Sequence, residues 1–212
     1  MPAVTALESD PRGSGGVVVF LDGASYALVG PADVRGLGLA VDAVLSPAQV
    51  QGVEQRAEVF AARAAALRIL AFRALPSTEI QRRLVRKGYA GAAAGEAVAS
   101  LVASGLINDG EFARHFARTR ARRFRYGPAR LARDLRRLGI GREAAERAVR
   151  DALEDEGVEA VELLREAAAR KAATLEDLDL ATRRRRLKTY LLRRGFAAAD
   201  VIEVVKAALA AS

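Results

Sequence analysis

Cysteine and tryptophan are absent, histidine occurs once, and Phe and Tyr together make up only 5% of the 212 residues. The lack of cysteine excludes disulfides and thiolate metal sites and fits a reducing compartment. The single His115 leaves no imidazole pair for a metal and no Ser-His-Asp set, and its i+3 spacing from Phe112 reads as packed or half exposed. No run of about 18 apolar residues is free of charge, so no transmembrane helix is expected. Met1–Gly16 lacks the basic region and apolar run of a signal peptide. A soluble cytoplasmic protein without a membrane partner is expected. No phosphate-cradling GxxxxGK[ST] occurs, and Gly13-Ser14-Gly15-Gly16 leads into a strand instead of opening a helix. The acidic run Asp151, Glu154, Asp155, Glu156 lacks calcium-loop spacing and reads as a solvated helix end. No catalytic, cofactor-binding or metal-binding residue is assigned, and the expectation is a protein that is not an enzyme.

What remains is Ala, Leu, Val and Arg. Hydrophobic residues reach 51%, enough for a core, and Ala and Leu favour helix. The net charge is +8 and the pI about 10.5, which points to a polyanionic partner, nucleic acid first. Thirty of the 34 basic residues are Arg. With abundant Ala and Gly, that skew also fits a coding-composition origin. Residues 1–60 hold three Arg against seven acids, a net charge of −4, and the remainder carries +12. Polyanion binding is therefore expected after residue 60.

The expected fold is mainly α: three tandem three-helix repeats in an extended curved array, preceded by a small N-terminal β-hairpin. Residues 1–15, rich in Pro, Gly and Ser, read as a flexible tail. Residues 16–45 read as hairpin and connector, with Val17–Leu21 and Ser25–Val29 joined by an Asp22-Gly23 turn. Ser46-Pro47 signals a helix start, and 46–107 reads as a long helix to about Phe72 plus repeat one. Repeats two and three occupy 108–156 and 157–212. Three segments align on Gly88, Gly139 and Gly195. Eight residues before each stands Ile80, Leu131 or Leu187; four before, Leu84, Leu135 or Leu191. One residue after comes Tyr89, Ile140 or Phe196, and ten after, Val98, Val149 or Val205. That spacing describes an apolar helical stripe ending at a C-terminal glycine, with the next residue packing back on it. Earlier helices at 60–72, 111–124 and 158–171 complete the triplets. An Ala/Leu-rich helical chain also gives chance matches at glycine caps, but five positions agree across three units.

A helical wheel puts the arginines opposite the apolar stripes. Arg82 and Arg86 lie on the far side in repeat one, Arg130, Arg133, Arg136 and Arg137 in repeat two, and Arg185, Arg186 and Arg193 in repeat three. Residues 118–137 hold nine Arg, among them Arg118, Arg122 and Arg125, against Asp134 alone. Residues 183–194 hold six Arg and Lys188 with no acid. A solvated helix normally intersperses acids. A polyanion-binding face is therefore preferred to a merely solvated basic one, and Arg suits phosphate or carboxylate. The aromatics mostly fall at core positions, Phe112 and Phe116 included, so base-stacking platforms are not evident. Tyr126, beside Gly127-Pro128, is a candidate for exposure or for a turn role.

The run Gly105-Leu106-Ile107-Asn108-Asp109-Gly110-Glu111-Phe112-Ala113, then Tyr126-Gly127, Leu131, Leu135 and Gly139-Ile140, resembles the RecX family of RecA regulators. Repeat one agrees through Ala66-Leu67-Arg68-Ile69-Leu70, Arg73, Ser77, Glu79-Ile80, Leu84 and Lys87-Gly88-Tyr89. Repeat three agrees more loosely through Leu187, Leu191 and Gly195-Phe196, and the likeness spans roughly 16–212. Asn108 or Asp109, and separately Ser77, read as helix caps. The resemblance implies a protein, monomeric when free, that lodges in the RecA–single-stranded DNA filament and opposes its growth or persistence. It implies reduced strand exchange in homologous recombination, reduced RecA ATPase and coprotease activity, and a place in DNA repair and the SOS response. Duplex DNA is a further possible partner. A helix-turn-helix-like DNA-binding protein and a helical protein–protein adaptor are the alternatives. The first lacks Asn or Gln among the arginines to read adenine, and the second predicts salt-insensitive binding.

Overall fold

The computed structural model describes residues 1–155, 157 and 159–210. The chain divides into two compact units, residues 1–107 and 108–212.

The first unit opens with an antiparallel sheet of three strands in the order β1 (Val4–Ser9), β2 (Val17–Leu21), β3 (Ala24–Val29). Asp22 and Gly23 turn β2 into β3 with φ of 50° and 84°, the doubly positive geometry that a two-residue hairpin requires. The expected hairpin is present as β2 and β3, while residues 1–15, expected as a flexible tail, supply the additional strand β1. A two-stranded hairpin is marginal in water. The third strand adds Val4, fully buried beside Val19, Leu21 and Val29. The strand is held further by Val4 N–H donating to the Ala43 carbonyl and Leu45 N–H to that of Pro2, both at 2.9 Å. The intervening loop closes locally. The Asp10 carboxylate accepts from the Arg12 and Ser14 amides, and its interaction with Ser14 holds it below the usual carboxylate range.

A short helix, α1 (Pro31–Gly36), occupies part of the expected connector. The long helix α2 (Pro47–Phe72) begins at a reciprocal cap in which Gln49 N–H donates to Ser46 Oγ and Ser46 N–H to Gln49 Oε1. The N-terminal half of α2 packs Val53 into the sheet's core, and its C-terminal half packs Ala62, Ala65 and Ala66 against α3 (Ser77–Arg86) and α4 (Gly91–Ala103). Ser77 is the first residue of α3 and not its cap; Pro76 holds that place, since its fixed φ suits an extended residue ahead of a helix.

The second unit holds two triplets around one continuous core: α5 (Asp109–Phe124), α6 (Pro128–Arg137), α7 (Arg142–Glu154), then α8 (Ala160–Ala172), α9 (Leu180–Arg193) and α10 (Ala198–Ala210). Asn108 caps α5, its Oδ1 accepting from Glu111 N–H at 3.0 Å. Of the residues read at the junction of repeats two and three, Glu156 and Val158 lie outside the described residues.

The glycine periodicity has one structural cause. Gly88, Gly139 and Gly195 have φ of 98°, 96° and 85°, each just past the end of α3, α6 or α9. The residue after each glycine donates back to the carbonyl of the stripe leucine: Tyr89 to Leu84, Ile140 to Leu135, Phe196 to Leu191. Each glycine itself donates to the carbonyl of Val85, Arg136 or Leu192, completing the paired C-terminal turn. Ile80, Leu84, Leu131, Leu135, Leu187 and Leu191 are fully buried, and Val98, Val149 and Val205 meet them from the following helix.

Candidate polyanion interface

The outward arginines do not form one uniform set. On α3, Glu79 accepts from Arg83 Nε at 2.8 Å and lies 3.7 Å from Arg86. The Arg83 hydrogen bond is the main reason that the Glu79 carboxyl sits below its ordinary pKa. Arg82 and Arg86 are exposed, so this helix presents cations but counters them with its own acid.

On α5, Arg118 and Arg122 are exposed. Arg125 is different. It ends the helix in the left-handed region (φ 50°, ψ 50°), and its Nε contacts Glu166 of α8 at 2.7 Å with the side chain 19% exposed. Arg125 therefore ties repeat two to repeat three, which accounts for its place without an external ligand. On α6, Arg133 and Arg137 are exposed, whereas Arg130 is tucked in. Arg130 lies 3.8 Å from the centre of the Tyr126 ring, and its Nη1 donates to the Arg193 carbonyl at 3.3 Å. Its Nε is buried with no hydrogen-bond partner, 3.8 Å from Asp134.

Arg185, Arg186 and Arg193 of α9 share one groove of 540 Å³ with Arg130, joined by Lys171 of α8 and by Arg194. Tyr126, Tyr190 and Thr189 complete its walls, and no carboxylate is among them. The sequence reading named Arg130, Arg185, Arg186 and Arg193 for this surface. It left out Lys171, Thr189, Tyr190 and Arg194 and gave Tyr126 only an open role. Arg82, Arg86, Arg118, Arg122, Arg125, Arg133 and Arg137 are not part of the groove.

The groove depends on a glycine contact that explains Tyr126-Gly127. Gly127 N–H donates to the Arg194 carbonyl at 2.8 Å, and Ala129 N–H to that of Gly195 at 3.2 Å. A Cβ on Gly127 would lie 2.5 Å from Gly195 O, and one on Gly195 would lie 2.4 Å from Arg130 N. Only paired glycines allow the start of α6 to meet the end of α9 this closely, and that approach brings Tyr126 and Arg130 to Arg194.

His115 is exposed on α5. Among the described residues, no group of three or more His, Asp or Glu is placed to hold a metal ion, and no helix is long and apolar enough to cross a membrane.

Helix triplets closed by one recurring glycine turn, with arginines on their outer surfaces, define a helical-repeat protein with a cationic face. The sequence matches three descriptions of RecX domains: the first three-helix domain over residues 62–101, the second over 108–149 and the third over 158–205. A regulatory protein RecX from Mycolicibacterium vanbaalenii is 32% identical over 169 residues, covering 77% of this chain and 90% of the relative. One from Chlorobium limicola is 35% identical over 135 residues, covering 64% and 81%. A crystal structure of regulatory protein RecX superposes with a TM-score of 0.79 at 20% identity, over 98% of this chain and all of that one. RecX from Lactobacillus salivarius gives 0.61 at 21% identity, over 71% of this chain and 96% of that one. The chain belongs to the RecX family of regulatory proteins.

Proposed function

We propose that this protein regulates the RecA recombinase by binding the RecA–single-stranded DNA filament through its basic helical faces. It inhibits RecA recombinase, ATPase and coprotease activity, acts in cytoplasmic DNA repair and the SOS response, and works by binding without catalysis. The observation that carries this reading is the groove of six cations without a carboxylate wall. Like charges held that close repel one another, and an anionic partner removes the cost. Membership of the RecX family of regulatory proteins supports a regulatory role, and inhibition is the direction that the resemblance to RecA regulators implies. Arg118, Arg122, Arg133 and Arg137 are further exposed cations of the second unit, and Arg82 and Arg86 are exposed on the first.

RecA-catalysed ATP hydrolysis on single-stranded DNA, with the protein added substoichiometrically, tests the proposal. Inhibition well below one protein per RecA is expected for a filament regulator. No effect at equimolar folded protein would overturn it.

A further inference from the structure

The cations and rings of the groove alternate. Arg130 lies over Tyr126 at 3.8 Å from the ring centre, Arg194 lies 5.4 Å from Tyr126 and 4.6 Å from Tyr190, and Lys171 lies 5.7 Å from Tyr190. For Arg194 and Lys171 the ring contacts orient the cation and leave its N–H donors available to an anion, whereas Arg130 is also tied to the Arg193 carbonyl and lies 3.8 Å from Asp134.

We propose that this groove binds the phosphodiester backbone of a single nucleic-acid strand, with Tyr126 and Tyr190 acting as positioning residues for the guanidiniums and not as platforms for bases. The inference deepens the reading above, resting on its premise that this face meets a polyanion. Three features select this ligand. The walls combine Arg and Lys with the Thr189 hydroxyl, the donor set that proteins direct at phosphate and sugar. No aliphatic side chain lines the groove, so an acidic peptide would find charge but no apolar anchor. The volume, 540 Å³, is that of a pocket for one small ligand, which suits a short stretch of one strand.

The rings are already engaged. Tyr126 carries Arg130, Arg194 and also Phe124, whose ring centre lies 5.5 Å away at an interplanar angle of 23°. Tyr190 carries Arg194 and Lys171. A base that stacked on either would first have to displace a cation, so recognition is expected to ignore base identity.

The test uses the full chain without RecA and measures fluorescence anisotropy with labelled oligo(dT) and with an abasic strand carrying the same number of phosphates. The two strands are expected to bind within about twofold of each other, as backbone recognition requires. R185A/R186A removes two exposed charges outside the core and is expected to weaken both about tenfold, with a salt slope shallower by about 1.4. Tyr126→Phe and Tyr190→Phe keep the rings and are expected to bind like the parent protein. Tyr126→Leu and Tyr190→Leu are expected to lose about threefold, the loss of one or two ring contacts. Abasic binding weaker by about tenfold would assign the rings to base stacking and overturn the proposal. Unchanged affinity in a folded R185A/R186A protein would overturn it as well, as would stronger competition by an acidic peptide than by an abasic strand of equal charge. RecA ATPase inhibition is a separate readout: normal oligonucleotide binding without inhibition would sink the regulator and leave the groove standing.

Discussion

Residues 1–107 and 108–212 are nearly equal in length and use the same helix triplet, but their electrostatics diverge. The first unit has ten cations against nine acids and the second 24 against 17, net charges of +1 and +7. The contrast is sharpest between corresponding helices. On α3, Glu79 serves both Arg83 and Arg86. On α6, Asp134 lies no nearer than 3.8 Å to Arg130, and from Arg183 to Arg194 on and after α9 no acid occurs. The repeat fixes where an outward side chain stands. The local acids decide whether the charge there is offset within the helix or left for a partner.

The glycine turns offer the largest way to break the comparison. Gly88 and Gly195 have similar positive φ, but a Cβ at Gly88 meets open space while one at Gly195 meets the Arg130 backbone. Gly88→Ala is expected to cost about 1–2 kcal/mol from backbone conformation alone. Gly195→Ala adds about 1–3 kcal/mol of overpacking and opens the groove. Urea denaturation of both variants measures the difference. Equal destabilisation would mean that the α6–α9 contact yields without strain.

Charge removal comes next. Arg185, Arg186 and Arg193 replaced by Ala is expected to weaken polyanion binding by about tenfold or more and flatten its salt dependence, while R82A/R86A changes it by about twofold at most. Affinity titrations across a salt series check both. The cap of α5 gives a smaller effect: Asn108→Ala is expected to cost about 1 kcal/mol, read as a lower Tm, because Glu111 N–H loses its acceptor.

The smallest expected effect is pH-dependent and belongs to the first unit. Glu79 has a depressed folded pKa, so its pairing stabilises above the ordinary glutamate range and is lost as pH falls through the lowered value. Glu79→Gln is expected to cost about 0.5 kcal/mol near neutral pH and nothing once the pH lies below that value. Denaturation curves at neutral and acid pH read this directly. An equal cost at both would assign the loss to packing.

Much of the fold was legible because one pattern, a left-handed glycine just past α3, α6 and α9 with a leucine four residues back and an apolar residue after, recurs at the same place in each repeat. Strand β1 was not legible, since Val4–Ser9 sits among Pro, Gly and Ser and is joined to its partner β2 by a loop instead of a tight hairpin turn. The arginines of α6 and α9 were readable from helical periodicity. Their assembly into a groove was not. It depends on Gly127 meeting Gly195 across 68 positions of sequence, and on Lys171 arriving from a third helix. A wheel also cannot separate Arg133, which stays exposed, from Arg130, which folds over Tyr126.

The most direct test of the central claim, that the second unit carries the polyanion-binding face, is the affinity of R185A/R186A/R193A and of R82A/R86A for RecA–single-stranded DNA filaments, measured side by side at several salt concentrations. The account predicts about tenfold weaker binding and a shallower salt slope for the first variant, with the second close to the parent protein. Equal losses in the two folded variants, or a larger loss in the second, would contradict it.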